Sequence, residues 1–258
     1  MAATRLTRSN STLMVLVTLT CSVAMAASAL LAQSPARTFA LTDATGLRPH
    51  NVTVTPANLA GRAGVRVVMD EVVRKRVSAM TPEERQRALA SGDASDQLAI
   101  VEGVQFGNGT IEAEIAGAPG AQAGEGARGF VGIAFRVRDA RTYDAFYLRP
   151  TNGRADDQVR RNHSAQYISH PDWPWFRLRK ETPEKYEAYV DLVPATWTKV
   201  RIVVQGSQAH LFVHDQAQPT LIVNDLKTGA TGTGSVGLWI DAGTEAHFRQ
   251  LAITPARP

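Results

Sequence analysis

The sequence predicts an all-β fold, a jelly-roll sandwich of two antiparallel sheets with one short helix inserted near residues 82–90. Three observations predict it. From residue 98 almost to the C-terminus, short apolar runs alternate with turn residues, the spacing of a sandwich rather than of strand–helix repeats. Within several runs apolar and other residues alternate with period two, which gives a strand two distinct faces. The 258 residues hold one cysteine, Cys21, so no disulfide framework competes with a packed core.

The elements follow in chain order. Residues 1–32 read as a secretory signal peptide: Arg5 and Arg8 precede an uncharged apolar run from Leu13 to Leu31 ending in small residues, with cleavage expected after Ala29 or Ala32. An uncleaved membrane anchor is the alternative, because the run is nearly long enough to span a bilayer. A secreted or periplasmic location is expected. Cys21 lies inside this leader, so the mature chain has no thiol. Residues 33–37 form a spacer, and 38–258 a single domain of roughly 220 residues, enough for one large core.

In TPEERQRALASG (81–92), Thr81 can cap, Pro82 takes the first helical position, Glu84 completes a capping box and Gly92 ends the segment. Strands are expected at LAIVEGVQF (98–106), GTIEAEI (109–115), GFVGIAFRVRD (129–139), YDAFYLRP (143–150), WTKVRIVVQG (197–206), AHLFVHD (209–215), TLIVNDL (220–226) and GSVGLWID (234–241). The Gly/Ala-rich stretch 116–129 reads as a mobile loop between two strands.

Charge excludes little and suggests less. Without the leader, 26 basic residues face 24 acidic ones, a nearly neutral surface that does not call for nucleic acid. No membrane partner is expected after cleavage, and the oligomeric state is not legible.

Period two assigns faces. Val131, Ile133, Phe135 and Val137 point one way, and Gly132, Ala134, Arg136 and Arg138 the other, away from the core. By the same count Phe146 and Leu148 oppose Tyr147 and Arg149, and Val236, Leu238 and Ile240 oppose Gly237, Trp239 and Asp241. If these strands share a sheet, its second face is a shallow groove lined by small residues, Arg136, Tyr147, Arg149, Trp239 and Asp241.

A connection of about 45 residues separates the strand ending at Arg149 from the one near Trp197, a length usually functional. It contains HPDWPWFRLRKE (170–181), whose prolines read as barring a helix. If extended, Trp173 and Trp175 share a side and Phe176 takes the other. Trp beside Arg, Asn and Gln is the composition of a carbohydrate site, where rings stack on sugar faces and polar groups bond hydroxyls. The alternative is a loop pinned over the sandwich edge by its own tryptophans.

FGNGTIEAEIAG, GFVGIAFR, WTKVRIVVQGSQAHLFV and GSVGLWIDAGTEAHFRQLAI resemble successive strands of the concanavalin A-like lectin/glucanase superfamily, in particular its secreted family 16-like domains of the 3-keto-disaccharide hydrolase type. The resemblance covers about residues 38–255. It implies a sandwich with one concave sheet, and sugar binding or glycoside cleavage as activities. The Glu-x-Asp-x-x-Glu motif of family 16 glucanases is absent. Glu112 and Glu114 share a strand face and read as a solvated outer surface.

Other chemistry is thinner. Asp156 and Asp157 are the one place for a structural Ca²⁺, but two arginines and no further acid follow them; no other cofactor is expected. His210 and His214 lack a zinc-site context. Gln166, Tyr167 and His170 suit a lyase-like proton abstraction by residue type only.

The reading is a carbohydrate-recognising, lectin-like sandwich of no certain catalytic activity. Its candidate ligand-binding residues are Arg136, Tyr147, Arg149, Asn152, Gln166, Tyr167, His170, Trp173, Trp175, Trp239 and Asp241; catalytic residues are not assigned. A glycoside hydrolase acting on a di- or oligosaccharide is one alternative, its carboxylates drawn from Asp144, Asp156, Asp157 or Glu181. A structural or interaction module of the cell envelope is the other.

Overall fold

The structure, a computed structural model, describes residues 35–91, 96–124 and 126–256. Residues 1–32, read above as a signal peptide, and Gly92 lie outside the described residues. In chain order the elements are β1 (Arg37–Phe39), β2 (Leu47–His50), β3 (Val52–Leu59), β4 (Arg62–Met69), α1 (Glu71–Ser78), α2 (Pro82–Ser91), β5 (Gln97–Val101), β6 (Gly109–Pro119), β7 (Val131–Asp139) and β8 (Thr142–Leu148). A 3₁₀ turn (Pro150–Asn152), α3 (Gln158–Asn162), β9 (Ala165–His170), α4 (Trp175–Glu181), β10 (Glu187–Ala188), β11 (Thr198–Gln205), β12 (Gln208–Val213), β13 (Leu221–Val223), β14 (Ser235–Ile240) and β15 (Thr244–Pro255) complete the chain.

These strands build the predicted sandwich. One sheet runs β13-β12-β11-β6-β15-β4-β3, with β1 also paired to β15; the other runs β10-β9-β8-β7-β14-β5-β2. All pairings are antiparallel. Between the sheets, Ile115, Val200, Ile202 and Leu211 from one meet Ile133, Phe146 and Leu148 from the other, the three that period two assigns to the apolar face. Burial of that shared face drives the two sheets together.

Four expectations change. Of the outward set of β7 only Arg138 is exposed: Gly132, Ala134 and Arg136 are buried, as are Tyr147 and Trp239 on the neighbouring strands. Arg136 takes φ 53° and the β7–β8 register shifts between Phe135 and Asp139, a bulge that re-aims the side chain. Its guanidinium reaches Gly107 O (3.0 Å), Gly206 O (2.7 Å), Gly229 O (2.6 Å), Thr228 Oγ1 (3.1 Å) and Asn108 Oδ1 (3.3 Å). All five N–H donors are thereby used, and the residue belongs to the fold rather than to a groove lining.

Helix count also differs. The capping box at Thr81 forms, but α1 precedes it, capped by Asp70, which accepts from Val72 N and Val73 N. The segment 170–181 is helical from Trp175, with Pro174 as its N-cap. Proline bars a helix only in its interior; ahead of the first turn its missing N–H costs nothing. The long connection is thus structured, carrying β9, two helices and β10, and β6 extends through Pro119 so that the Gly/Ala-rich loop begins later than expected.

Candidate functional site

The outer face of the seven-stranded sheet gathers most of the polar and aromatic residues of interest. Trp239, Gly132, Tyr147, Gln166 and Glu187 stand in one row across β14, β7, β8, β9 and β10. Gly132 allows this row: a Cβ there would lie 2.5 Å from that of Tyr147. The Tyr147 and Trp239 rings stack over it with centroids 4.7 Å apart, and Phe130 stacks on Tyr147 at 5.4 Å.

The face is concave. Asp96, just ahead of β5, places Oδ1 2.7 Å from Nδ1 of His170 on β9, although β5 and β9 are four strand steps apart. In a flat sheet four steps span about 19 Å, at about 4.8 Å each, so the sheet curls strongly to bring its corners together. Tyr143 OH donates to the same Asp96 oxygen, lies 3.0 Å from His170 Nδ1 and accepts from Trp239 Nε1 at 3.0 Å. Burial, then the Asp96 charge, pushes the Tyr143 phenol well above its ordinary range.

Arg149 is the second hub. It donates to His163 O (2.9 Å), Glu187 Oε1 (3.2 Å), Tyr147 OH (2.8 Å) and Gln166 Oε1 (3.0 Å). Its guanidinium carbon lies 5.2 Å from the Phe130 centroid and 5.8 Å from that of Trp175. Burial would raise the Glu187 carboxyl, but Arg179, His163 and Arg149 more than reverse this and hold it low. Burial pushes the Tyr147 phenol up to about 12, against the pull of Arg149. The hub is a satisfied ion pair inside an aromatic box.

The candidate ligand residues therefore divide. Tyr147, Arg149, Gln166, His170, Trp239 and Asp241 share this concave face, and Trp175 closes over Arg149. Trp239 is only 4% exposed and Tyr147 1%, so neither ring is open to a ligand as it stands. Tyr167 points to the core side and donates to Asp144 Oδ1 at 2.6 Å. Asn152 is buried, donating to His163 O and accepting from Arg160 Nε, and Arg136 sits in its own loop knot.

The tryptophans part company because α4 starts between them. Trp173 pairs by backbone with Ser169 and packs on the core, its ring facing Arg177 (3.9 Å) and Lys227 (4.6 Å). Trp175 and Phe176, adjacent on α4, are 41% and 60% exposed and meet edge-on at 5.8 Å. The expected shared side for Trp173 and Trp175 is replaced by this Trp175–Phe176 pair, with Arg179 4.8 Å from the Trp175 centroid.

Of the four carboxylates considered for hydrolysis, Asp156 is exposed and the other three have local partners. Asp144 is buried and accepts from Tyr167 and Thr228; Asp157 caps α3 through Arg160 N (2.6 Å); Glu181 pairs with Arg177 (2.8 Å). Glu112 is exposed as expected, whereas Glu114 is buried beside Arg62 and Arg249. Phe130, Asp96, Tyr143, His163, Arg179 and Glu187 lie outside the sequence-derived set; all but Arg179, which meets Trp175 and Glu187 four and eight positions away, join the site through contacts distant in sequence.

No protein-family profile matches the chain, and no curated protein matches it. Solved structures do. The carbohydrate binding module CBM66 from Bacillus subtilis superposes with a TM-score of 0.50 at 12% identity, covering 80% of this chain and 94% of its own. A protein of unknown function with a galectin-like fold, also from Bacillus subtilis, gives 0.47 at 9% identity, covering 88% and 99%. The Crh5 transglycosylase, solved with NAG, gives 0.49 at 13%, covering 87% and 86%. At such identity the likeness to CBM66 establishes one thing, the fold: this chain is a lectin-like β-sandwich.

Proposed function

We propose that the chain is a secreted carbohydrate-binding sandwich whose ligand stacks on Trp175 and Phe176 at the rim of the concave face. The observation that carries this reading is the exposure of two adjacent aromatic rings on α4, set beside Arg179 and above the Arg149 box. Exposed aromatic surface flanked by charged donors suits a sugar, which offers an apolar ring face and a hydroxyl edge. The fold supports the reading, being that of a carbohydrate binding module, and the leader pattern supports export.

Fluorescence titration of the protein with neutral and acidic oligosaccharides tests it. Trp175→Ala is expected to weaken binding about tenfold, the loss of one stacking platform, with unchanged thermal stability. Trp173→Ala is expected to lower stability by about 2–3 kcal/mol instead. Saturable binding that survives Trp175→Ala and Phe176→Ala, or no binding by any sugar, would overturn the proposal.

One observation favours a second reading, glycoside-bond cleavage. With Nδ1 held by Asp96, the other ring nitrogen of His170 is oriented as a general base, the role a carboxylate-backed imidazole plays elsewhere. Product analysis of the same mixtures separates the readings: cleavage that His170→Gln abolishes identifies an enzyme, and intact sugars identify a binder.

A further inference from the structure

The exposed rings of α4 have cations of their own. Arg179 follows Trp175, and Lys180 follows Phe176, by one helical turn. Helix side chains lean towards the N-terminus, so both cations lie back over the aromatic pair. For Arg179 the contact is explicit, its guanidinium carbon 4.8 Å from the Trp175 centroid.

Neither cation is fully neutralised. Arg179 bonds Glu187 through Nε (3.0 Å) and Nη2, leaving Nη1 without a hydrogen-bond partner among the described residues. A guanidinium carries five N–H donors, so Arg179, whose side chain is 33% exposed, keeps donors for a second anion. Its one carboxylate is not its own, because Glu187 also serves Arg149 (3.2 Å) and stands 3.4 Å from His163 Nε2. Lys180 is exposed and makes no ion pair among the described residues. The other acids of this region do not supply the balance. Glu181 pairs with Arg177, and Asp225 with Lys185 and Lys227. Asp241 acts on Arg149 and His170 and Glu184 on His163, but neither bonds Arg179 or Lys180, and Asp172 precedes the helix.

We propose, resting on the reading of α4 as a sugar platform, that its ligand is an acidic sugar, whose ring stacks on Trp175 and whose carboxylate or sulfate group bonds the open side of Arg179 and the Lys180 ammonium. Either anion matches the guanidinium fork and gains charge-assisted hydrogen bonds. A neutral sugar would stack and leave those donors to water, and a cationic one would be repelled.

Fluorescence titration of the whole protein with matched pairs of oligosaccharides tests the proposal: oligogalacturonate and oligomannuronate against their methyl esters, and a sulfated oligogalactose against the unsulfated chain. In at least one pair the acidic member should bind about tenfold more tightly, the increment of one hydrogen bond to a charged group. The pair that shows the preference distinguishes carboxylate from sulfate. The preference should shrink as salt rises from about 0.01 M to 1 M and the screening length falls from about 30 Å to 3 Å. Arg179→Gln should remove it; because that variant also disturbs Glu187, Lys180→Gln, which breaks no bond within the protein, should narrow it severalfold with unchanged thermal stability. Equal affinities within every pair, with Trp175→Ala still weakening both members, would overturn this inference and leave the sugar platform standing. A preference that persists in both variants would overturn it too, whereas no binding by any sugar would overturn the platform as well.

Discussion

Asp241 shows how one side chain carries a cost that rises with pH. Burial pushes its carboxyl above the ordinary range, with Ala242 N–H, Arg149 and His170 opposing. In acid, below the unfolded pKa, the group is protonated in both folded and unfolded chains and contributes no penalty. As pH rises the unfolded chain ionises first, so stability is lost through the window between the unfolded and folded values. Asp241→Asn is therefore expected to have a higher urea midpoint than wild type at pH 7, the difference vanishing near about pH 3. Equal midpoints at both pH values would show a well-solvated carboxylate. At this scale period two was enough to put Tyr147, Arg149, Trp239 and Asp241 on one face, since alternation is a local property. It had no access to Asp96, whose partner His170 is 74 positions away, nor to the burial that closes Trp239 and Tyr147.

The helices show which local signals can be trusted. Thr81 and Glu84 exchange bonds at 2.9 and 3.2 Å, a motif complete within four residues and therefore readable. Thr81→Ala is expected to cost about 1 kcal/mol, read as faster amide hydrogen exchange in α2 while the sandwich strands stay protected. Uniformly faster exchange would mean that α2 is integral to the core. α1 escaped notice because it is eight residues with no buried side chain, and α4 because its prolines were read without their position relative to the first turn. That error had a functional price: an extended Trp173–Trp175 ladder and a helical Trp175–Phe176 pair offer a ligand different surfaces.

For the molecule as a whole, turn spacing and alternation made the sandwich legible because every strand must bury one side. Strand order was not, and neither was the curl that joins Asp96 to His170, for both are set by which edges meet. Arg136 belongs to this scale. Its guanidinium draws together Gly107, Gly206 and Gly229, which lie 29, 70 and 93 positions from it. Closures of that length come late in folding, so the knot should be absent from the rate-limiting transition state. Arg136→Lys, with too few donors for five acceptors, is expected to unfold several-fold faster in stopped-flow experiments while refolding at the wild-type rate; slowed refolding would place the knot in the nucleus. A latch that closes last sets how long the folded molecule survives rather than how readily it forms.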